Sequence, residues 1–215
     1  MKLALVIVLS LSLLAIGLFY FTVDHAPETN VAMPWHVTVH DEQHSEVFEI
    51  KLNETNLEQA RLRFGQLDGI SLYQDKAGIF SLEAYFGNVA IGPLSARIIA
   101  NLQASQSELA DMTQEAYNRV ITEKGSQKWT LKDEVKRQQS LRKVKSLTYI
   151  PGYSGMDASF IAQRFGEPET REKVDETTEL WFYPHQGVRI LLDSDGKEVF
   201  EYMVLADFNQ KTGEN

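Results

Sequence analysis

The chain has 215 residues, a formal net charge of −9 and 43% hydrophobic residues, a length that holds one ordinary domain or two small lobes. With 24% charged residues the composition is globular rather than disordered, and its negative balance excludes general binding to nucleic acid, which needs a positive field to displace counterions. The absence of cysteine excludes disulfides, thiolate chemistry, cysteine zinc sites and a lipid-bearing cysteine anchor.

Residues 3–23 read LALVIVLSLSLLAIGLFYFTV, without a charge and with Ser10, Ser12, Tyr20 and Thr22 as the only polar groups. At ~1.5 Å per residue this run spans the ~30 Å of a bilayer core, with Phe19, Tyr20 and Phe21 at the interface. It is expected to be a transmembrane signal-anchor. The alternative is a cleaved signal peptide, whose apolar region is usually shorter and is followed by a small-x-small site that Asp24-His25-Ala26-Pro27 does not supply. Lys2 before the segment and Asp24 and Glu28 after it place the N-terminus inside. The expected location is therefore the bacterial inner membrane, single-pass, with the remaining domain in the periplasm, or secretion to the periplasm if the segment is removed.

After a linker over 24–34, WHVTVH (35–40) and EVFEIKL (46–52) alternate as strands, with DEQHS as a hairpin loop between them. NLEQARLRF (56–64) carries Leu57, Ala60 and Phe64 at helical spacing and stops at Gly65. Strands are expected over 70–73 and 79–86, separated by QDKAG. Gly92-Pro93 then reads as the opening of a helix with an apolar stripe of Leu94, Ile98, Ile99 and Leu102. A second amphipathic helix is expected over 107–122, and a third over 131–145, where Asp133 and Arg137 are spaced to pair. The C-terminal part reads as the strand SLTYIP, a GYSG turn and the helix MDASFIAQRF, stopped by Gly166 and Pro168. Three strands follow: ELWFYP, GVRILLD and KEVFEYMVLADF. Asp195-Gly196 marks a hairpin between the last two.

Two tripeptides, Arg63-Phe64-Gly65 and Arg164-Phe165-Gly166, lie 101 residues apart. At that offset Phe48 falls on Tyr149, Leu57 on Ala158 and Ala60 on Ile161; at an offset of 109, Tyr73 falls on Phe182 and Gly78 on Gly187. The recurring order of strand, helix and hairpin suggests an internal duplication, with a longer charged loop over 170–179 in the second copy. The plain reading of RFG is structural: phenylalanine packs the helix onto a sheet and glycine permits the left-handed exit. The other reading gives the two arginines a binding role.

The stretch GMDASFIAQRFGEP followed by LWFYPHQGVRILLDSDGKEVFEY resembles the BamE/SmpA family, whose pattern matches Gly155-Met156, Phe165-Gly166-Glu167-Pro168, Trp181-Phe182-Tyr183 and the hairpin from Asp193 to Val199. The resemblance implies a small helix pair against an antiparallel sheet, and tandem copies would resemble the β-lactamase-inhibitor-protein architecture. Both groups act by binding proteins outside the cytoplasm. Family members of the BamE kind are lipoproteins and this chain has no cysteine to lipidate, so the resemblance implies an envelope protein-binding module and nothing finer.

Catalytic and metal constellations are thin. His36, His40 and His44 are spaced by four, but β-branched neighbours favour a strand, where positions four apart are ~13 Å from one another. Asp193-Ser194-Asp195-Gly196 opens like a calcium loop without its closing ligands and reads as a hairpin turn. Gly152-Tyr153-Ser154-Gly155-Met156 misses the nucleophile elbow at its last position. Neither a catalytic residue, a metal nor a cofactor is expected. Residues 124–145 carry a net charge of +6 and leave −15 on the rest. Lys136, Arg137, Arg142, Lys143 and Lys145 there read either as a patch for anionic lipid headgroups or an acidic partner, or as a solvated helix face.

The expected fold is α+β: a transmembrane anchor over 1–23, the linker, a first lobe over 35–105, a helical connector over 106–145, a second lobe over 146–210 and a tail over 211–215. The two lobes are expected to be alike, each with helices packed on antiparallel sheet. The expected role is non-enzymatic: binding an envelope protein, with membrane lipid contacted through residues 3–23. An extracytoplasmic inhibitor or immunity-type protein, or a membrane-anchored hydrolase, are the alternatives.

Overall fold

The computed structural model describes residues 32–212 apart from 124 and 154. A small antiparallel sheet comes first: β1 (Thr38–Asp41), β2 (His44–Val47) and β3 (Ile50–Lys51). Helix α1 (Leu57–Phe64) leads to β4 (Gly69–Gln74), β5 (Phe80–Ile91) and β6 (Leu94–Leu102). Helix α2 (Gln106–Met112) and a 3-10 turn precede the hairpin of β7 (Ala116–Ile121) and β8 (Gln127–Leu131). Helix α3 (Asp133–Arg137) and a second 3-10 turn (Gln138–Leu141) lead to β9 (Val144–Pro151). The rest is α4 (Ala158–Phe165), β10 (Thr170–Lys173), β11 (Thr178–Tyr183), β12 (Val188–Asp193), β13 (Val199–Tyr202) and α5 (Leu205–Thr212). Strands β4 to β13 form one ten-stranded antiparallel sheet in the order β10-β11-β12-β13-β9-β6-β5-β4-β8-β7.

This sheet corrects the expectation of two α+β lobes. Strand β9 pairs with β6 on one side, Ile98 opposite Tyr149, and with β13 on the other, Phe200 opposite Tyr149. Backbone hydrogen bonding therefore runs unbroken from the first half of the chain into the second, and the fold is mostly β. Residues 94–102, expected as a helix, are the strand β6. Leu94, Ile98 and Leu102 are four apart, a spacing that suits two turns of strand pleat as well as one turn of helix. Ala96 and Ala100 fill the positions between them on the same buried face, while Ser95 and Arg97 are exposed.

The helical connector also gives way. A capping box between Ser105 and Glu108 starts α2, but the helix ends at Met112 and the chain turns into β7. Within 131–145 only α3 and its 3-10 extension are helical: Leu131 belongs to β8, Leu141 is exposed and Val144 opens β9. The charged segment expected as a loop after Pro168 supplies β10, paired with β11 from Thr170 opposite Phe182 to Lys173 opposite Glu179. The last expected strand ends at Tyr202, and α5 takes the remainder.

The membrane expectation is corrected as well. Among the described residues no helix is long and apolar enough to cross a membrane. Helices α1, α4 and α5 have eight residues each, about 12 Å of rise against the ~30 Å a crossing needs. Residues 3–23 lie outside the described residues, so single-pass inner-membrane anchoring and the periplasmic location drawn from it have no structural support.

One face of the large sheet is covered by α1, α4 and the loop between β2 and β3. Phe48 stacks on Tyr149 with ring centroids 5.5 Å apart and meets Tyr202 edge-on at 5.6 Å. Phe64 packs on Phe48 and Phe86, and Phe165 on Tyr183 and Phe200. Gly65 and Gly166 leave the two helices at φ +91° and +85°, donating to the Arg61 and Ala162 carbonyls. Both RFG segments thus place phenylalanine in the core and glycine in the exit. On the opposite face, among the described residues, Phe208 of α5 packs on Phe182 beside Met203, next to β11.

Candidate functional site

Strand alternation turns one residue in two toward this second face, which the described residues leave uncovered at its centre. In β4 these are Ser71 and Tyr73; in β5, Glu83 and Tyr85; in β6, Arg97 and Ile99; in β8, Lys128 and Thr130. With Ile150 of β9 and Lys136 of α3 they line an open cleft of about 470 Å³. A second cleft of about 540 Å³ adjoins it, shares Glu83 and Ile99, and extends past Asn101, Thr148 and Glu201 to α2 and α5.

Burial at the centre of the sheet pushes the Glu83 carboxyl above the usual range, and Glu201 adds to that; the Ser81 hydroxyl, donating at 3.1 Å, and the Lys128 charge pull it back. The Lys128 ammonium lies 5.4 Å from the centre of the Tyr73 ring. Arg189 donates through Nε to Glu201 at 3.0 Å, which fixes that carboxylate on the neighbouring strand. Neither Arg97 nor Lys128 forms an ion pair with a carboxylate among the described residues. The face therefore combines tyrosine, isoleucine and two cations without ion pairs around a desolvated carboxylate.

The basic segment singled out in the sequence is largely neutralised. Lys136 pairs with Asp133 at 3.0 Å, Arg137 with Glu134 at 3.3 Å and Lys145 with Asp207 at 3.5 Å. Asp133 and Arg137, spaced for each other, have taken closer partners. Arg142 pairs with Glu108 at 3.3 Å and donates to the Gln103 carbonyl at 3.0 Å, tying the 3-10 turn before β9 to the start of α2. Lys143 is exposed without an ion pair among the described residues.

The two repeat arginines serve different ends. Arg63 donates to the Phe48 carbonyl at 3.0 Å and pairs with Glu49 at 3.3 Å, bracing the β2–β3 turn, where Phe48 and Glu49 both have positive φ. Arg164 lies over Trp35 at 4.9 Å and over Phe160 at 5.3 Å. Both act on structure at the helix-covered side.

The histidines take separate carboxylates: His40 meets Glu46 at 3.0 Å and His44 meets Asp41 at 2.9 Å. Among the described residues no group of three or more His, Asp or Glu side chains is placed to hold a metal ion. Asp193 accepts from the Asp195 N–H at 3.0 Å within the β12–β13 turn. Ser154 lies outside the described residues; beside it, Gly152 approaches Ser95 so closely that a Cβ would clash with the backbone carbonyl.

Sequence reasoning missed Glu83, Tyr85, Arg97 and Lys128. The signal was polar residues at every second position (Ser71 and Tyr73, Glu83 and Tyr85, Lys128 and Thr130). Only in register across adjacent strands do those pairs become one surface. No protein-family model, curated protein or solved structure matches the chain.

Proposed function

We propose that the chain is a protein-binding module and that the uncovered face of the ten-stranded sheet is its docking surface. The observation that carries this is the composition of the two adjoining clefts. Tyrosine and arginine anchors beside apolar side chains characterise the energetic centres of protein interfaces. Arg97 and Lys128, lacking carboxylates of their own, suit an acidic side chain on a partner loop; Glu83 suits a basic one beside it. The clefts are broad and open, which fits a loop better than a small molecule enclosed on most sides.

A photoreactive residue placed at Tyr85 tests the reading. It is expected to give a discrete adduct with one partner protein, lost on Arg97→Glu, while the same group at Leu62 on the outer side of α1 gives none. Labelling at Leu62 and not at Tyr85 would move the docking surface elsewhere. A partner that is a single hydrolase held in stoichiometric complex would make the module an inhibitor.

A further inference from the structure

The ten-stranded sheet has two edges, and they are built differently. Strand β10 reads Thr-Arg-Glu-Lys with every residue exposed. Charges along an edge oppose pairing with a foreign strand. Strand β7 reads Ala-Tyr-Asn-Arg-Val-Ile and leaves Tyr117 67%, Val120 45% and Ile121 71% exposed, with Arg119 as its only charge. We propose that β7 is a self-association edge, pairing antiparallel with β7 of a second copy about a two-fold axis at Val120.

The register follows from hydrogen-bond parity. The Thr122 N–H donates to the Ser126 carbonyl at 2.8 Å, so Thr122 directs its backbone groups toward β8. By alternation Val120 and Asn118 do the same, and Arg119 and Ile121 direct theirs to the open edge. The ladder with β8 is regular from Asn118 opposite Thr130 to Ile121 opposite Gln127. Any residue of this stretch can stand on a two-fold axis, and Arg119 and Val120 are the two at its centre. With Arg119 on the axis, each arginine faces its own copy, and like charges directly opposite destabilise. With Val120 on the axis, valine faces valine, Arg119 faces Ile121 and Asn118 faces Thr122. The outward-directed residues then meet as hydrogen-bonding pairs, as an antiparallel ladder requires. The strand is complementary to itself in that register, which is why a second copy is the occupant.

Val120 stands opposite Lys128, so the axis lies beside the docking face. Pairing there sets two open faces side by side in one continuous sheet. The inference rests on the edge strand alone and stands whether or not the open face binds a protein. A single strand pair lies at the small end of interface sizes, under ~1,200 Å², so the dimer is expected to be weak and concentration-dependent.

Sedimentation equilibrium of the full chain, with mild detergent to disperse the apolar segment over 3–23, tests this across two decades of concentration. The mass is expected to rise from monomer toward dimer. Val120→Lys is expected to weaken the dimer at least tenfold, with only a slight loss of thermal stability from the like charge opposite it at Lys128. Val120→Cys, as the single thiol of a cysteine-free chain, is expected to form a disulfide-linked dimer on mild oxidation, since opposed non-hydrogen-bonded residues lie within disulfide reach. Gln163→Cys on α4 is expected not to. A monomer at every concentration overturns the proposal. So does association indifferent to Val120→Lys, cross-linking no faster at position 120 than at 163, or a monomer whose edge takes an extended peptide of another protein.

Discussion

The Tyr202 hydroxyl donates to the Pro34 carbonyl at 3.0 Å, joining positions 168 residues apart. Tyr202 is fully buried against Phe48, and burial holds its hydroxyl far above the ordinary tyrosine range, so it acts as a neutral donor. The bond fastens the segment leading into β1 to the last strand of the large sheet. Tyr202→Phe keeps the ring and leaves the Pro34 carbonyl unpaired. Its expected cost is about 1–2 kcal/mol in urea unfolding. An unchanged midpoint would show that the carbonyl finds water instead.

Ile98 sits fully buried at the middle of β6, opposite Tyr149. Ile98→Ala is expected to cost about 2–5 kcal/mol, the lost transfer free energy plus the cavity left behind. Leu62 on α1 is 85% exposed, and Leu62→Ala is expected to stay within about 0.5 kcal/mol. Equilibrium unfolding of the pair checks that the sheet, rather than the helix periphery, carries stability.

Two glycines with positive φ separate backbone strain from steric collision. Gly65 has φ +91° and open space where a Cβ would point, so Gly65→Ala is expected to cost about 1 kcal/mol from backbone strain alone. Gly187 has φ +63° and lies against the Met203 carbonyl, where a Cβ would collide with the oxygen. Gly187→Ala is expected to cost clearly more and to disturb the packing of Met203 and Phe182. Calorimetry and near-ultraviolet circular dichroism distinguish the two outcomes.

Glu108 accepts from the Ser105 N–H and hydroxyl, each at 2.8 Å, and from Arg142 at 3.3 Å. The Ser105 bonds and the Arg142 guanidinium hold its pKa down to about 2 from 4.5. An acid whose folded pKa is depressed contributes stability above its unfolded pKa and loses it as pH falls through the folded one. The stability difference between the native chain and Glu108→Gln is therefore expected to be constant above about pH 5 and to vanish toward about pH 2. A difference unchanged down to pH 2 would sever Glu108 from this role.

Glu83 has the opposite sign. Burial raises its pKa, so ionising it costs stability once both folded and unfolded chains are charged. Glu83→Gln is expected to raise the melting temperature at neutral pH, by an amount that shrinks as acidification protonates the native carboxyl. If the open face binds as proposed, the same substitution weakens the complex. A gain in stability paired with a loss of binding would mark Glu83 as retained for the partner.

Some of this was legible along the chain. Helices α1 and α4 lie where local signals put them, because a capping residue before and a glycine after act within a few positions. The Asp195-Gly196 hairpin is local for the same reason. The state of residues 94–102 was not legible, since Leu94, Ile98 and Leu102 satisfy helix and strand alike until β5 and β9 supply hydrogen-bonding partners on both sides. Nor was the union of two expected lobes into one sheet, which depends on β9 pairing at once with β6 and β13. The candidate site lay furthest from view: Glu83, Arg97 and Lys128 are unremarkable polar residues in three separate strands, and only the register of those strands gathers them. Caps and turns are set by neighbours in sequence; strand partners, faces and edges are set by contacts between distant segments, which only the folded chain decides.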